Sequence, residues 1–178
     1  MYLIYSRGDA SPHAQRISFF FWNLNTRVTL KNLLMSHKPV LIFLVEPMIT
    51  FSQVHPWFWQ SIGVTKYCIN DGGSLMSNLW VFWGRDINPT VIFVSAQCIP
   101  MEFSFQQSTT VCIVAVYAST YYMNRRKLWA DLTHLQGCFQ GPWLFIGDYN
   151  AVLGAHEKCG RRPPPSFFMY NFFAMNKC

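Results

Sequence analysis

Short apolar runs that end at a polar residue recur along this chain. Ile17 to Trp22 is rich in β-forming residues and ends at Asn23, and Val40 to Val45 is a continuous apolar run that ends at Glu46. Runs of this length with polar boundaries are typical of strands buried in a sheet. The pattern therefore predicts a strand over 17–22 and a fully buried strand over 40–45.

Between these two runs the spacing of apolar residues changes to that of a helix. Leu30, Leu33, Leu34 and His37 fall on one helical face over residues 26–37, which Asn25 or Thr26 caps and Pro39 ends. A strand, a helix and a strand in this order predict a βαβ unit.

The middle of the chain is predicted to be an antiparallel meander. Short β-rich runs cover residues 67–70, 78–83, 90–96 and 110–117. Turn-forming residues separate them, most clearly at 71–74 and 84–86.

A second helix and a further strand follow the meander. Leu128, Leu132 and Leu135 form an apolar stripe over residues 124–136, with Trp129 beside it. The strand at 142–146 leads into Gly147-Asp148-Tyr149-Asn150. Residues 1–16 show no pattern and are predicted to be a disordered leader, so the domain is expected to cover residues 17–178.

The charge and cysteine content narrow the function classes. Charged residues make up only 12% of the chain, against about 25% in ordinary proteins, which predicts self-association or aggregation. The net charge of +6 suits a polyanion such as nucleic acid, although basic residues that merely solvate the surface explain it as well. No cysteine pair has metal or redox spacing, and no apolar run is long enough to span a membrane. An intracellular protein with reduced thiols is expected.

Polar residues at the strand ends are the candidate chemistry. Asn23, Glu46, Tyr117 and Asp148 each follow an apolar strand, and in α/β folds such ends meet where sites form. Each also has a simpler explanation: a helix cap, an exposed strand end, a core tyrosine and a turn. Their order and spacing together favour one shared cleft.

The chain resembles the endonuclease/exonuclease/phosphatase domain, in the form found in plant LINE-type (non-LTR) retrotransposons. The matching segments are Phe21-Trp22-Asn23, Lys38 to Glu46, Val116 to Ser119, and Trp143 to Val152, with Gly160 to Pro164 after them. The resemblance covers about residues 17–175. It implies an α/β (α+β) fold, a four-layer sandwich of two mixed β-sheets flanked by helices.

The resemblance also implies a Mg²⁺-dependent DNA endonuclease, with Mn²⁺ as a substitute ion, no small-molecule cofactor, no membrane partner and a nuclear location. Glu46 and Asn23 match metal-side residues. Tyr117 matches a phosphate donor, Asp148 the group that orients or deprotonates water, and Asn150 an amide that fixes Asp148 and the phosphate. Arg125 and Arg126 are candidates for holding backbone phosphates, although helix solvation explains them equally well.

Two departures from the family pattern lower the expected activity. Asn25-Thr26 stands where the family has a glycine-containing turn, and the terminal Ser-Asp-His segment of the family is not found. Because residues that act as a unit fail together, a C-terminally truncated domain with little or no nuclease activity is expected. A non-catalytic nucleic-acid-binding remnant and a non-functional fragment are the alternatives.

Overall fold

The computed structural model describes residues 2–5, 13–16, 24–70, 77–105 and 109–151. The strands in this part of the chain are β1 (Tyr2–Tyr5), β2 (His13–Arg16), β3 (Leu41–Val45), β4 (Lys66–Ile69), β5 (Leu79–Trp83), β6 (Thr90–Val91), β7 (Cys98–Phe105), β8 (Thr109–Tyr117) and β9 (Trp143–Asp148). The α-helices are α1 (Leu24–His37), α2 (Pro56–Ser61) and α3 (Tyr122–Cys138), with a 3₁₀ turn at Phe51–Gln53. None of these helices is long and apolar enough to cross a membrane.

The described strands form two sheets. The first sheet has the order β2-β1-β3-β5-β4, and every neighbouring pair in it is antiparallel. The second sheet has the order β6-β7-β8-β9, in which only β8 and β9 run parallel. The parallel pair is joined by α3, because parallel neighbours need a crossover connection.

The core lies between the two sheets and on their outer faces. In β3, Leu41 and Phe43 pack towards the second sheet, whereas Ile42 and Leu44 pack with Leu34 of α1 on the outer face. Burial of each such side chain contributes roughly 1.5–3 kcal/mol. The strand is therefore apolar at every position because both of its faces are covered.

The helices complete four layers. Leu30 of α1 packs on the outer face of the first sheet, and Leu128 and Leu132 of α3 pack on that of the second, against Val114 and Val116. The predicted sandwich of two sheets flanked by helices is confirmed. Cys98 and Cys112 are fully buried in this core, and burial raises the pKa of Cys98 to about 11.

The predicted helices are confirmed, with different ends. Helix α1 begins at Leu24, so Asn25 and Thr26 lie within its first turn and do not cap it. It ends before Pro39, as expected. Helix α3 extends two residues beyond the predicted range at each end, and its apolar stripe is buried.

The described strands that pair with β3 do not include the first strand of the predicted βαβ unit, so that unit stays a prediction. The strand that neighbours β3 on one side is β1, and it runs antiparallel; the predicted strand over 17–22 lies outside the described residues. Disorder throughout residues 1–16 is wrong for Tyr2–Tyr5 and His13–Arg16, which form strands. The four residues of β1, Tyr2–Tyr5, are aromatic or aliphatic and favour a strand, and pairing with β3 and β2 supplies their main-chain partners.

The predicted meander is divided between the two sheets. Strands β4 and β5 belong to the first sheet, and β6 to β8 belong to the second. The strand expected over 90–96 is only Thr90–Val91, while the long strand β7 was not predicted. Pro100 and Glu102 interrupt its apolar run, but Ile99, Met101 and Phe103 alternate with them and are buried.

Candidate active site

Two candidate residues end neighbouring parallel strands. Tyr117 is the last residue of β8 and is the register partner of Asp148, the last residue of β9. The main-chain N–H of Ala118 donates to the carbonyl of Asp148 at 2.8 Å, which extends the ladder past the strand ends. The two side chains are therefore presented from adjacent positions at one edge of the second sheet.

The residue before Asp148 must be glycine in this arrangement. Gly147 has a φ of +154°, and a Cβ atom there would lie 1.7 Å from the carbonyl oxygen of Val116. Such an approach is far inside van der Waals contact, so only glycine lets β9 lie this close to β8. Because glycine precedes it, Asp148 can end a strand that lies against β8, and this close pairing fixes the position of its carboxylate.

Asn150 stabilises the turn that follows Asp148. Its main-chain N–H donates to Oδ1 of Asp148 at 2.9 Å, and its side-chain Nδ2 donates to the carbonyl of Ala118 at 2.7 Å. Its φ of +45° is in the left-handed region, which asparagine tolerates better than most residues. The group that contacts Asp148 is therefore the main chain of Asn150, while the side-chain amide holds the loop after Tyr117.

Glu46 reaches the same place from the first sheet. It follows β3 with a φ of +50°, and its main-chain N–H donates to the carbonyl of Asn78 at 2.9 Å. The hydroxyl of Tyr117 donates to Oε1 of Glu46. The structure therefore brings together four of the predicted site residues, namely Glu46, Tyr117, Asp148 and Asn150.

The Tyr117 hydroxyl stays protonated over a wide pH range. Burial is the largest cause that raises its pKa above the ordinary value, followed by the hydrogen bond to Glu46 and the negative charges of Glu46 and Asp148. A hydrogen bond with Asn150 acts in the opposite direction. At neutral pH the phenol is a hydrogen-bond donor and not a base.

The two candidate arginines differ in exposure. Arg125 is buried, and its Nη1 donates to the carbonyls of Ser119 and Thr120 at 2.8 and 2.9 Å. Burial also lowers its pKa. This guanidinium braces the loop after Tyr117, so the expectation that it faces nucleic acid does not fit its position. Arg126 is exposed, and its predicted phosphate contact stays a prediction.

The donor atoms suit a hard cation. Among the described residues no group of three or more His, Cys, Asp and Glu side chains comes together, and Asn23 lies outside these residues. The carboxylates of Glu46 and Asp148 remain as oxygen donors. Mg²⁺ often binds through one or two carboxylates while keeping several waters, so this donor set fits that ion.

Two polar residues near the site were not predicted. Asn70 is buried at the end of β4, and Gln97 accepts from the main-chain N–H groups of Tyr117 and Ser119. Asn70 follows an apolar strand, so the rule that selected Glu46 would also have selected it. Gln97 directly follows the run predicted as a strand over 90–96, so the same rule would have selected it as well.

Comparison with known proteins identifies the fold. No protein-family model and no curated protein matches the chain. Similar solved structures include the endonuclease domain of TRAS1, a telomere-specific non-LTR retrotransposon, with a TM-score of 0.59 and 9% identity over 85% of this chain and 65% of that chain. The 3′ phosphatase NExo from Neisseria, bound to a product DNA hairpin, has a TM-score of 0.57 and 15% identity over 87% of this chain and 67% of its own.

Truncated TDP2 from Caenorhabditis elegans is also similar, with a TM-score of 0.52 and 15% identity over 79% of this chain and 60% of that one. The chain therefore spans less than two thirds of the TRAS1 and TDP2 structures. Identities this low show a shared fold alone. The chain therefore shares the fold of these structures, two sheets with flanking helices, which is the endonuclease/exonuclease/phosphatase fold.

Proposed function

We propose that this chain is a nuclease-type domain that hydrolyses phosphodiester bonds in nucleic acid, with DNA as the expected substrate. The observation that carries the proposal is the meeting of Glu46 from the first sheet with Tyr117, Asp148 and Asn150 from the second. Two carboxylates, a protonated phenol and an amide, brought together from two sheets, are groups that can act in phosphodiester hydrolysis.

Glu46 is the proposed metal ligand. Asp148, at the end of β9 in the second sheet, is the other carboxylate of the site. A divalent ion, Mg²⁺ or Mn²⁺, would neutralise phosphate charge and polarise the phosphorus centre. Asn23 remains a predicted further ligand. Because both carboxylates belong to strand ends, they are held by the sheets and not by a flexible loop.

Asp148 is the proposed group that orients the attacking water and accepts its proton. Its Oδ1 already accepts from the N–H of Asn150, which fixes the orientation of the carboxylate. Water oxygen bonds to phosphorus as the bond to the leaving oxygen breaks, and that oxygen takes a proton from solvent. The Tyr117 hydroxyl would turn from Glu46 to a phosphate oxygen and donate to it.

We also propose that the activity is weak, and that the domain derives from a retrotransposon and acts in the nucleus. The weak activity is supported by the hydrogen bond that the Tyr117 hydroxyl donates to Glu46, because this bond must break before the hydroxyl can donate to a phosphate oxygen. The support for the origin is the sequence resemblance together with the TRAS1 fold match.

Nicking of supercoiled plasmid DNA in Mg²⁺ tests the proposal. We expect slow nicking that falls by at least ~10²-fold in Glu46→Ala and in Asp148→Ala, because each removes a group that acts on the reacting phosphate. Asp86→Ala is the matched control. That carboxylate is exposed in the turn beyond Trp83, at the opposite end of the first sheet from Glu46. Nicking that persists in both site variants would contradict the proposed function. Robust nicking by the unmodified protein that is lost in both variants would contradict only the proposal of weak activity.

Non-catalytic binding of nucleic acid is the second candidate, and the net charge of +6 favours it. Binding through phosphate contacts weakens steeply with salt, by ~10³-fold or more between 50 and 200 mM for six or more contacts. Fluorescence anisotropy with labelled DNA measures this slope. Binding with a steep slope and no nicking supports the second candidate, whereas affinity independent of salt contradicts it.

A further inference from the structure

Asn70 is a buried polar residue between the two sheets. It directly follows β4 and is only 1% exposed; Arg125 is the other buried polar or charged residue among those that the structure describes. A buried amide is costly unless its donors and acceptors are paired. The partners of Asn70 therefore show what this residue holds in place.

One half of the amide binds the first sheet. Oδ1 of Asn70 accepts from the main-chain N–H groups of Asn78 and Leu79 at 3.1 and 2.8 Å. The carbonyl of Asn78 in turn accepts from the main-chain N–H of Glu46. Asn78 alone therefore links the side-chain oxygen of Asn70 to the backbone of Glu46, the proposed metal ligand.

The other half reaches the loop that leads into β7 of the second sheet, and it also contacts the side chain of Asn78. Nδ2 of Asn70 donates to the carbonyl of Ala96 at 2.9 Å, with the carbonyl of Ser95 at 3.4 Å, and to Oδ1 of Asn78 at 2.7 Å. The carbonyl of Gln97, the next residue, accepts from the main-chain N–H of Tyr117 at 2.8 Å. The nitrogen of Asn70 therefore leads to the backbone of the proposed phosphate donor.

We propose that Asn70 is a positioning residue that fixes Glu46 of the first sheet relative to Tyr117 of the second. Apolar side chains hold the two sheets together elsewhere, and such contacts are not directional. Hydrogen bonds are directional, so the amide sets the relative position of the two strand ends. The inference rests on the proposed function only in that Glu46 and Tyr117 are taken as parts of one site.

The chemistry of the amide suggests a selective variant. Asn70→Asp keeps the shape and the acceptor for the first sheet, but it replaces the donor by an oxygen that faces the carbonyls of Ser95 and Ala96. Asn78→Asp is the matched control. It makes the same substitution at a neighbouring residue whose Oδ1 only accepts from Asn70, so the contacts between the sheets remain.

A double-mutant cycle in three backgrounds measures positioning. The coupling between Glu46→Ala and Tyr117→Phe is obtained from urea unfolding of the full chain, without nucleic acid or metal. We expect coupling in the unmodified protein and in Asn78→Asp, and its loss in Asn70→Asp. If Asn70 only stabilised the fold, Asn70→Asp would lower the free energy of unfolding of all four proteins in the cycle equally. The coupling between Glu46 and Tyr117 would then be unchanged.

Two results of this cycle overturn the inference: coupling that persists in Asn70→Asp, or no coupling in the unmodified protein. If Asn70→Asp does not fold, NMR of the unmodified protein decides. The Asn70 side-chain amide protons should then exchange at least ~10-fold more slowly than those of exposed amides, and equal rates overturn the inference. Because nicking is not used, failure of the proposed function leaves this result unaffected.

Discussion

The two strand ends that form the candidate site are held in different ways. At the second sheet, Tyr117 and Asp148 are register partners, and hydrogen bonds from Ala118 and Asn150 continue the pairing beyond the strands. At the first sheet, Glu46 is exposed and held through one main-chain hydrogen bond to Asn78 and the contact with Tyr117. The second-sheet end is therefore built into the sheet, whereas the first-sheet end depends on a locally distorted residue.

The distortion itself is concentrated at the site. Four non-glycine residues in the described part of the chain have a positive φ, and two of them are Glu46 and Asn150. Strain of this kind persists only where surrounding contacts hold it, and it is often found at functional positions. Asparagine tolerates this conformation, but glutamate does not, so the strain is greater on the first sheet.

The largest effect is expected at the second sheet, for Gly147→Ala. The added Cβ would lie 1.7 Å from the carbonyl oxygen of Val116, so β8 and β9 must separate where they carry Tyr117 and Asp148. Overpacking against the main chain leaves no flexible side chain to yield, and we expect a loss of at least ~3 kcal/mol in the free energy of unfolding. Urea unfolding measures it.

Gly137→Ala is the control for this change. No atom lies within 4 Å of a Cβ at Gly137, which is in α3, so alanine should raise stability by up to ~1 kcal/mol. Similar stabilities for the two alanine variants would show that β8 and β9 are not paired closely at Val116 in solution.

A smaller loss is expected from Arg125→Met, which removes the brace on the loop after Tyr117. The guanidinium donates to two carbonyls, and hydrogen bonds from charged groups contribute ~1.5–3 kcal/mol. Since Thr120 is exposed and water can replace part of the interaction, we expect a loss of ~2 kcal/mol by thermal unfolding. Arg126→Met, one residue along and exposed, should change stability by less than ~0.5 kcal/mol. Equal effects would contradict a structural role for Arg125.

The sequence predicted the second-sheet end of the site better than the surrounding fold. The apolar runs before Tyr117 and Asp148 identified both strand ends, because the bounds of each run match those of its strand to within two residues. By contrast, the neighbours of β3 depend on residues far away in the chain, so the antiparallel pairing with β1 was missed. Hydrophobic period alone does not encode which strand pairs with which.

The contacts of Arg125 and Asn70 were also beyond the sequence pattern. An arginine in the first turn of a helix usually points to solvent, and only the position of the loop over α3 turns this one inward. The amide of Asn70 is satisfied by groups from two separate segments, at 78–79 and 95–96, which no local pattern connects. The strand-end rule therefore selects residues such as Asn70, whereas the contacts that show what each residue holds in place are visible only in the folded structure.

The smallest effect tests the strained end directly, through Glu46→Gly compared with Glu46→Ala. Both variants lose the hydrogen bond from Tyr117, so their difference isolates the backbone. Left-handed geometry costs a non-glycine residue ~1–2 kcal/mol, and the greater unfolded-state freedom of glycine offsets ~0.5–1 of this. We expect Glu46→Gly to be ~0.5–1 kcal/mol more stable than Glu46→Ala in urea unfolding. At Thr65, which is exposed and not among the residues with positive φ, the same pair should show the opposite sign. If alanine is the more stable variant at both positions, Glu46 does not adopt the left-handed conformation in solution, and the contrast between the two strand ends disappears. If glycine is the more stable variant only at Glu46, backbone strain is what distinguishes the first-sheet end of the site from the second.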